Sequence, residues 1–235
     1  MDGRSSGILL PVFSLPGPYG IGTMGKEARG FIDFLASANQ HYWQILPLVP
    51  PGGGDSPYMS PSSFAGNPLF LDLEELAEEG LLTREELDSA RHDSPDRVDY
   101  DFLRRTRLPL LRKAWERGRE LWAPRMEAFL TFAHWAEDYA RFAALREELD
   151  LPPAEWPSPA SEPEEDDVSF HVFLQTVFFR QWHALKRYAN ERNISIIGDL
   201  PIYVSEDGAD FWARPELFQL DQEGRPAAVA GVAPH

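Results

Sequence analysis

Cysteine is absent from all 235 residues, which excludes disulfides and thiolate metal sites and fits a reducing compartment. No stretch approaches the ~20 apolar residues that a membrane-spanning helix needs. The opening Met1 to Ser6 is not the basic start and apolar run of an export signal. Positive charge is also scarce, with 22 Lys and Arg against 38 Asp and Glu and a formal charge of −16. Nucleic acid and anionic lipid demand stripes of Lys and Arg, so neither is expected as a partner. A neutral ligand such as a sugar is left unopposed, and the chain reads as unexported and cytoplasmic.

What is present is core-forming material: 43% of the residues are hydrophobic and 12% aromatic, enough for one large domain or two smaller ones. The acidity is local. Residues 72–167 hold 26 acidic and 13 basic side chains, against 12 and 9 in the rest of the chain.

Three apolar runs read as buried strands: residues 7–12, 42–48 and 194–199. Between the first two, Ala28, Phe31, Ile32, Leu35 and Ala38 recur at helical spacing and predict a helix over about 24–39. Strand, helix, strand implies a right-handed parallel crossover. From Asp72 to about Asp150 the pattern is helical, as in Trp135, Tyr139, Phe142 and Arg146. Pro152, Pro153, Pro157, Pro159 and Pro163, with the acidic run Glu162 to Asp167, read as a charged linker that resists regular structure. Helix resumes near Val168, with Leu174, Phe178, Trp182, Leu185 and Ala189 on one side, and Asn190 to Asn193 closes it. Beyond the third strand, residues 218–220 and 227–229 flank a hairpin turn with Gly224 where φ must be positive. The division expected is 1–70 for the first strands, helix and substrate loop, 71–167 for an acidic helical insertion and linker, and 168–235 for a helix, strand and hairpin.

Gly20-Ile-Gly-Thr-Met-Gly25 has the dinucleotide-binding spacing between a strand and a helix. Residues 13–19 intervene with two prolines, however, and the acidic residue due at the end of the second strand is missing, since Leu48-Val-Pro-Pro-Gly52 stands there. An ordinary loop and helix start is the competing reading. Gly52-Gly-Gly54 lacks the Gly-Lys-Ser/Thr of a phosphate loop and reads as a hinge. The six His share no metal-ligand spacing, and Ser60, Ser62 and Ser63 lack a nucleophile elbow, so they read as turn formers.

Two loops carry more chemistry. Tyr58, beside Ser56 in the turn-rich stretch after the second strand, offers a flat apolar ring with a hydrogen-bonding tip. Such a ring can stack on a glucose face, and a half-buried packing role suits the spacing equally. Asp199, between Gly198 and Pro201 at the end of the third strand, can accept hydrogen bonds from sugar hydroxyls. Its alternative role is to cap a neighbouring backbone. Strand ends followed by loops are where barrel enzymes keep their chemistry.

Five ordered segments resemble the 4-α-glucanotransferases, known as amylomaltases or disproportionating enzymes of the α-amylase clan. They are residues 14–22 and 42–48, Asp55-Ser-Pro-Tyr58 with Phe64-Ala-Gly-Asn-Pro68, Gly198-Asp-Leu-Pro-Ile-Tyr-Val204, and 212–218 with Gly224-Arg-Pro226 and Val229-Ala-Gly-Val232. The resemblance implies an α/β fold, the N-terminal part of a (β/α)8 barrel with an inserted helical subdomain. It implies no cofactor or metal, and α-1,4-glucans or maltooligosaccharides as substrates. The chemistry it implies is retaining transfer by two carboxylates. Ser56, Tyr58 and Asp199 would then bind substrate, with Asp199 in support rather than as nucleophile or acid. The resemblance also implies that the strands carrying the nucleophile and the acid/base lie beyond His235; such a barrel needs ~250 residues and three strands are legible here, so the chain reads as an N-terminal portion. A non-catalytic glucan-binding fragment and a nucleotide-binding oxidoreductase are the rival readings.

Overall fold

Glycine at position 7 lets two backbones meet: a Cβ there would lie 2.5 Å from the Cβ of Tyr42 on the neighbouring strand. In the computed structural model, which describes residues 3–92, 97–157 and 162–228, β1 (Gly7–Leu9), β2 (Tyr42–Gln44) and β3 (Ser195–Ile197) form one parallel sheet in the order β1-β2-β3. Ile8 stands opposite Trp43, and Trp43 opposite Ile196. The three runs are neighbours in one layer, as expected, but their paired portions are shorter. Pro11 and Pro47 have no N–H to give the ladder, and pairing fades after Leu10 N to Gln44 O and Ile45 N to Ile197 O.

The strands are less buried than their apolar runs suggest. One face, carrying Ile8, Trp43 and Ile196, joins the main core, and Trp43 is fully enclosed with its indole N–H donating to Leu10 O at 2.8 Å. Side chains alternate across a strand, so Leu9 and Ile197 fall on the opposite face, where they remain 54% and 43% exposed.

Helix α1 (Lys26–Ser37) buries Ala28, Ile32 and Leu35, and its Phe31 meets Trp43 edge-on at 5.2 Å. In the acidic segment, α2 (Leu73–Glu78), α3 (Arg84–Ser89), α4 (Tyr100–Leu130) and α5 (Ala136–Leu149) form as the periodicity predicts. Tyr139 and Phe142 are buried on α5. The excess carboxylates are distributed into pairs across helices: Glu86 takes both Arg117 and Lys113 of α4, and Arg180 reaches Glu79. Arg125 and Arg180 also lie over the buried Trp122 ring, at 4.7 and 4.6 Å.

Helix α6 (Glu165–Glu191) begins inside the stretch read as linker. Glu165, Asp166 and Asp167 occupy its first turn, where negative charge meets the positive end of the helix. Asp166 and Asp167 then pair with Arg119 and Arg112 of α4. A 3-10 turn at Pro153–Glu155 occupies another part of that stretch, whereas Pro159 lies outside the described residues. Helix α6 packs on α1, α4, α5 and β3. Both returns to the sheet use the same corner, an asparagine with positive φ: Asn39 at 54° after α1 and Asn193 at 59° after α6. A short α7 (Ala209–Ala213) follows β3. The expected turn then appears as an antiparallel bridge of Leu220 with Pro226, with Gly224 at φ 77°. Residues 229–235, including Val229 to Val232 and His235, lie outside the described residues.

The loop from β2 to α2 is fastened by two buried glutamines of α6. Gln175 accepts from Gly66 N at 2.8 Å and donates to Gly66 O at 3.0 Å; Gln181 does the same for Asp72, at 2.8 and 3.2 Å. Each side-chain amide thus mimics a strand partner for one buried residue. A Cβ at Gly66 would lie 2.1 Å from the Phe178 ring, so glycine is required for this approach. Asp72 also caps α2 by accepting from Glu74 N. Its Oδ2 lies 1.7 Å from where a Cβ on Gly25, the N-cap of α1, would be.

Two outcomes are expected. Gln175→Leu leaves the buried N–H and C=O of Gly66 unpaired and should cost about 2–4 kcal/mol, read as a lower urea midpoint at unchanged m-value. For Asp72, burial raises the carboxyl from 3.8 to about 6, so the folded chain holds this proton more tightly than the unfolded chain. The stability it contributes is full below about pH 4 and lost as the pH climbs through about 6. Asp72→Asn keeps the cap acceptor and should remove about 2–3 kcal/mol of pH dependence between pH 4 and 7. Parallel stability curves for parent and variant, from urea unfolding at each pH, would contradict this assignment.

Candidate functional site

Adjacent parallel strands deliver their following loops to the same end of a sheet, and here the loops after β2 and β3 meet. The Tyr58 hydroxyl donates to Asp199 Oδ2 at 2.7 Å, joining residues 141 positions apart in sequence. The carboxylate accepting its proton raises the phenol above its ordinary 10. Tyr58 is 47% exposed, so the ring is open to a ligand while its tip is fixed. Among the described residues, Asp199 Oδ1 carries no protein hydrogen bond. The pair therefore offers a flat apolar face, a hydroxyl oxygen with a free lone pair and a carboxylate acceptor. That set suits a polyhydroxylated ring.

The β2 loop that carries Tyr58 is a tightly built turn. Gly54 and Asp55 take successive left-handed conformations, φ 67° and 58°. A Cβ on Gly52 would lie 1.6 Å from Met59 O, so the triple glycine is a tight turn rather than a free hinge. Ser56 is half-buried: its Oγ accepts from Tyr58 N at 3.3 Å, and its carbonyl accepts from Gly52 N and Met59 N. On these contacts Ser56 shapes the backbone that presents Tyr58. Arg104 of α4 binds the Asp55 carboxylate and steadies the left-handed pair.

Farther along, the serines behave as turn formers. Ser62 Oγ accepts from Phe64 N and Ala65 N, and Ser60 Oγ donates to Ser62 O. This stretch then docks on α7. Asp210 accepts from Ser63 N at 2.7 Å, and Ala209 N donates to Pro61 O at 2.7 Å. The loops after β2 and β3 are thus tied together at a second point.

Sequence reasoning placed Tyr58 and Asp199 at strand-end loops but did not foresee their bond, and it missed Arg104, Gln175, Gln181 and Asp210. A signal existed for one of them. Gln181 falls within the Leu174, Phe178, Leu185 stripe of α6, where a polar residue must find a buried partner.

The glycine-spaced segment before α1 does not form an open phosphate cradle. Residues 19–24 are buried, a Cβ on Gly22 would lie 1.9 Å from Val12 O, and the carboxylate of Asp72 sits against Gly25. A carboxylate at that helix start repels a pyrophosphate. Among the described residues, no cluster of His, Asp and Glu is arranged to hold a metal ion, and no helix is long and apolar enough to cross a membrane.

The chain has close counterparts among known proteins. The chain is 48% identical over 248 residues to a 4-alpha-glucanotransferase of Thermus thermophilus, covering 98% of this chain and 49% of that protein. The corresponding protein of Aquifex aeolicus is 44% identical over 245 residues, with 98% and 50% covered. A solved amylomaltase from Streptococcus agalactiae, in complex with acarbose, superposes with a TM-score of 0.92 at 39% identity, over 98% of this chain and 50% of that one. The chain thus spans about half the length of the relatives it matches. The family profile described as 4-alpha-glucanotransferase matches residues 10–235, and the chain therefore belongs to the 4-alpha-glucanotransferase family.

Proposed function

We propose that this chain supplies the glucan-binding half of a cytoplasmic 4-α-glucanotransferase that moves α-1,4-glucan segments between maltooligosaccharides or starch-like glucans. The observation that carries this reading is the 2.7 Å bond between Tyr58 and Asp199, an exposed ring and a carboxylate at one end of a parallel sheet. The Tyr58 ring stacks on the glucose at the cleavage point, and Asp199 accepts from its hydroxyls. Ser56 belongs to the same contact through the turn it makes. No cofactor or metal takes part in this scheme.

In the reaction, one carboxylate attacks the anomeric carbon as the glycosidic bond breaks, and a second protonates the departing oxygen. The second carboxylate then takes the proton from an acceptor hydroxyl, which displaces the first. Neither of these groups is assigned to Asp199, which binds. We place both on strands of a longer chain that closes β1, β2 and β3 into a (β/α)8 barrel, with residues 71–167 as a helical insertion between the second and third strands. Three features support this. Helices α1 and α6 pack against each other on a single face of the sheet, unlike a doubly wound fold, which places helices on both. The opposite face is bare at Leu9 and Ile197. The relatives are about twice as long.

In a full-length form, Asp199→Ala is expected to lower turnover more than Tyr58→Ala, with each variant losing at least about tenfold in kcat/KM on maltotriose. Circular dichroism should show both folded. Wild-type rates in both variants would remove these residues from the site. The 235 residues alone are expected to bind maltooligosaccharide without transferring glucose. The check is incubation of a preparation of verified mass with maltotriose, followed by chromatography for glucose and longer oligomers. Transfer products would place the catalytic carboxylates within this chain.

A further inference from the structure

Sugar rings bind proteins through two surfaces at once, an apolar C–H face that seeks an aromatic ring and an edge of hydroxyls that seeks charged or amide groups. A second place in this molecule has both. Between the β2 loop, α5 and the segment around α7 lies a cavity of about 380 Å³, lined by neither Tyr58 nor Asp199. Its platform is Phe64 stacked on Trp135, with ring centroids 5.9 Å apart and planes 16° from parallel. Val204 and Leu217 continue the apolar lining, and Asp138 and Arg214 stand at its polar rim. Phe64 is 53% exposed and Leu217 is 76% exposed, so much of the apolar surface is wet and its coverage would be favourable. The rim ions are held 3.9 Å apart and both are partly exposed, which leaves them able to accept from and donate to hydroxyls.

We propose that this cavity is a second α-glucan contact, holding a stretch of the same oligosaccharide beyond the units bound at Tyr58. The proposal rests on the glucan reading above and adds a length preference to it. The rings are fixed rather than adaptable. Phe64 N and Ala65 N are held by Ser62 Oγ, and Ser63 N by Asp210; Trp135 is packed against Tyr139 and Phe179. Phe64 follows Tyr58 by six residues on one fastened loop, a separation of at most ~20 Å. An oligosaccharide of several glucose units spans that distance, whereas maltotriose fills only one contact.

The test compares maltotriose with maltoheptaose on the whole 235-residue chain by two-dimensional NMR. In the parent, maltoheptaose should shift the Trp135 indole and Phe64 amide signals together with those of Tyr58 and Asp199, and maltotriose only the latter. Phe64→Ala should weaken maltoheptaose about tenfold, the loss expected for one aromatic contact, and leave maltotriose unchanged. Phe64→Tyr should bind like the parent. Should Phe64→Ala fail to fold, Leu217→Ser, at an exposed position, serves in its place. Shifts at Tyr58 and Asp199 with Trp135 and Phe64 silent would overturn this proposal alone, and silence at both places would overturn the glucan reading as well. Equal maltoheptaose affinity in parent and Phe64→Ala would also overturn it. The same holds if an apolar dye occupies the cavity and maltoheptaose cannot displace it, which would mark the surface as one for a polypeptide.

Discussion

A backbone N–H or C=O taken out of water has to be paired, and an irregular loop has no ladder to pair it. Helix α6 solves this for the loop that leaves β2. Gln175 and Gln181 each present a side-chain amide to one buried residue of the loop, Gly66 and Asp72, giving and accepting one bond apiece. Because α6 also packs on α1, α4, α5 and β3, the same helix sets where the sheet ends and where the loop passes. Tyr58 is held over the sheet end by that double use, and Phe64 faces Trp135 for the same reason.

Much of this was legible in the residues. Helical spacing marked α1 and the later part of α6, and the β-branched and aromatic runs marked three strands in the right neighbourhood. Their extent was overread because an apolar run does not show where proline withdraws the ladder, as at Pro11 and Pro47. Their burial was overread because alternation sends every second side chain to the other face. Glu165 to Asp167 looked like linker because an acidic run beside prolines is unfavourable in a helix interior. At a helix start the same charges are favourable, and Arg112 and Arg119 wait on α4 to receive them. For the site, spacing located Tyr58 and Asp199 on separate loops, but only the lateral order of β2 and β3 puts them within a hydrogen bond. Gln175 was hidden because a glutamine on a helix ordinarily faces water.

The acidic segment gains a different meaning once folded. Most of its arginines stay exposed, yet several pair with carboxylates of a neighbouring helix: Arg117 with Glu86, Arg119 with Asp166 and Arg112 with Asp167. Arg180 of α6 binds Glu79 and also lies over Trp122, which Arg125 approaches as well. Arg107 is the extreme case, fully buried with its Leu71 O bond, and burial lowers its guanidinium to about 10. Placing a cation there beside Asp72 offsets part of the negative excess from within.

The β2 loop is fastened at its base by neutral amides and at its tip by an ion pair between Arg104 and Asp55, both partly exposed. These two fastenings answer to different solution variables. Amide pairs in a dry interior are indifferent to ionic strength, whereas an exposed ion pair weakens as the Debye length shrinks from about 10 Å at 0.1 M to about 3 Å at 1 M salt. Salt therefore acts on the loop unevenly, loosening the left-handed turn ahead of Tyr58 while the Gly66 and Asp72 anchors stay in place. Within this loop, ionic strength adjusts the reach of the tyrosine while the base stays fixed.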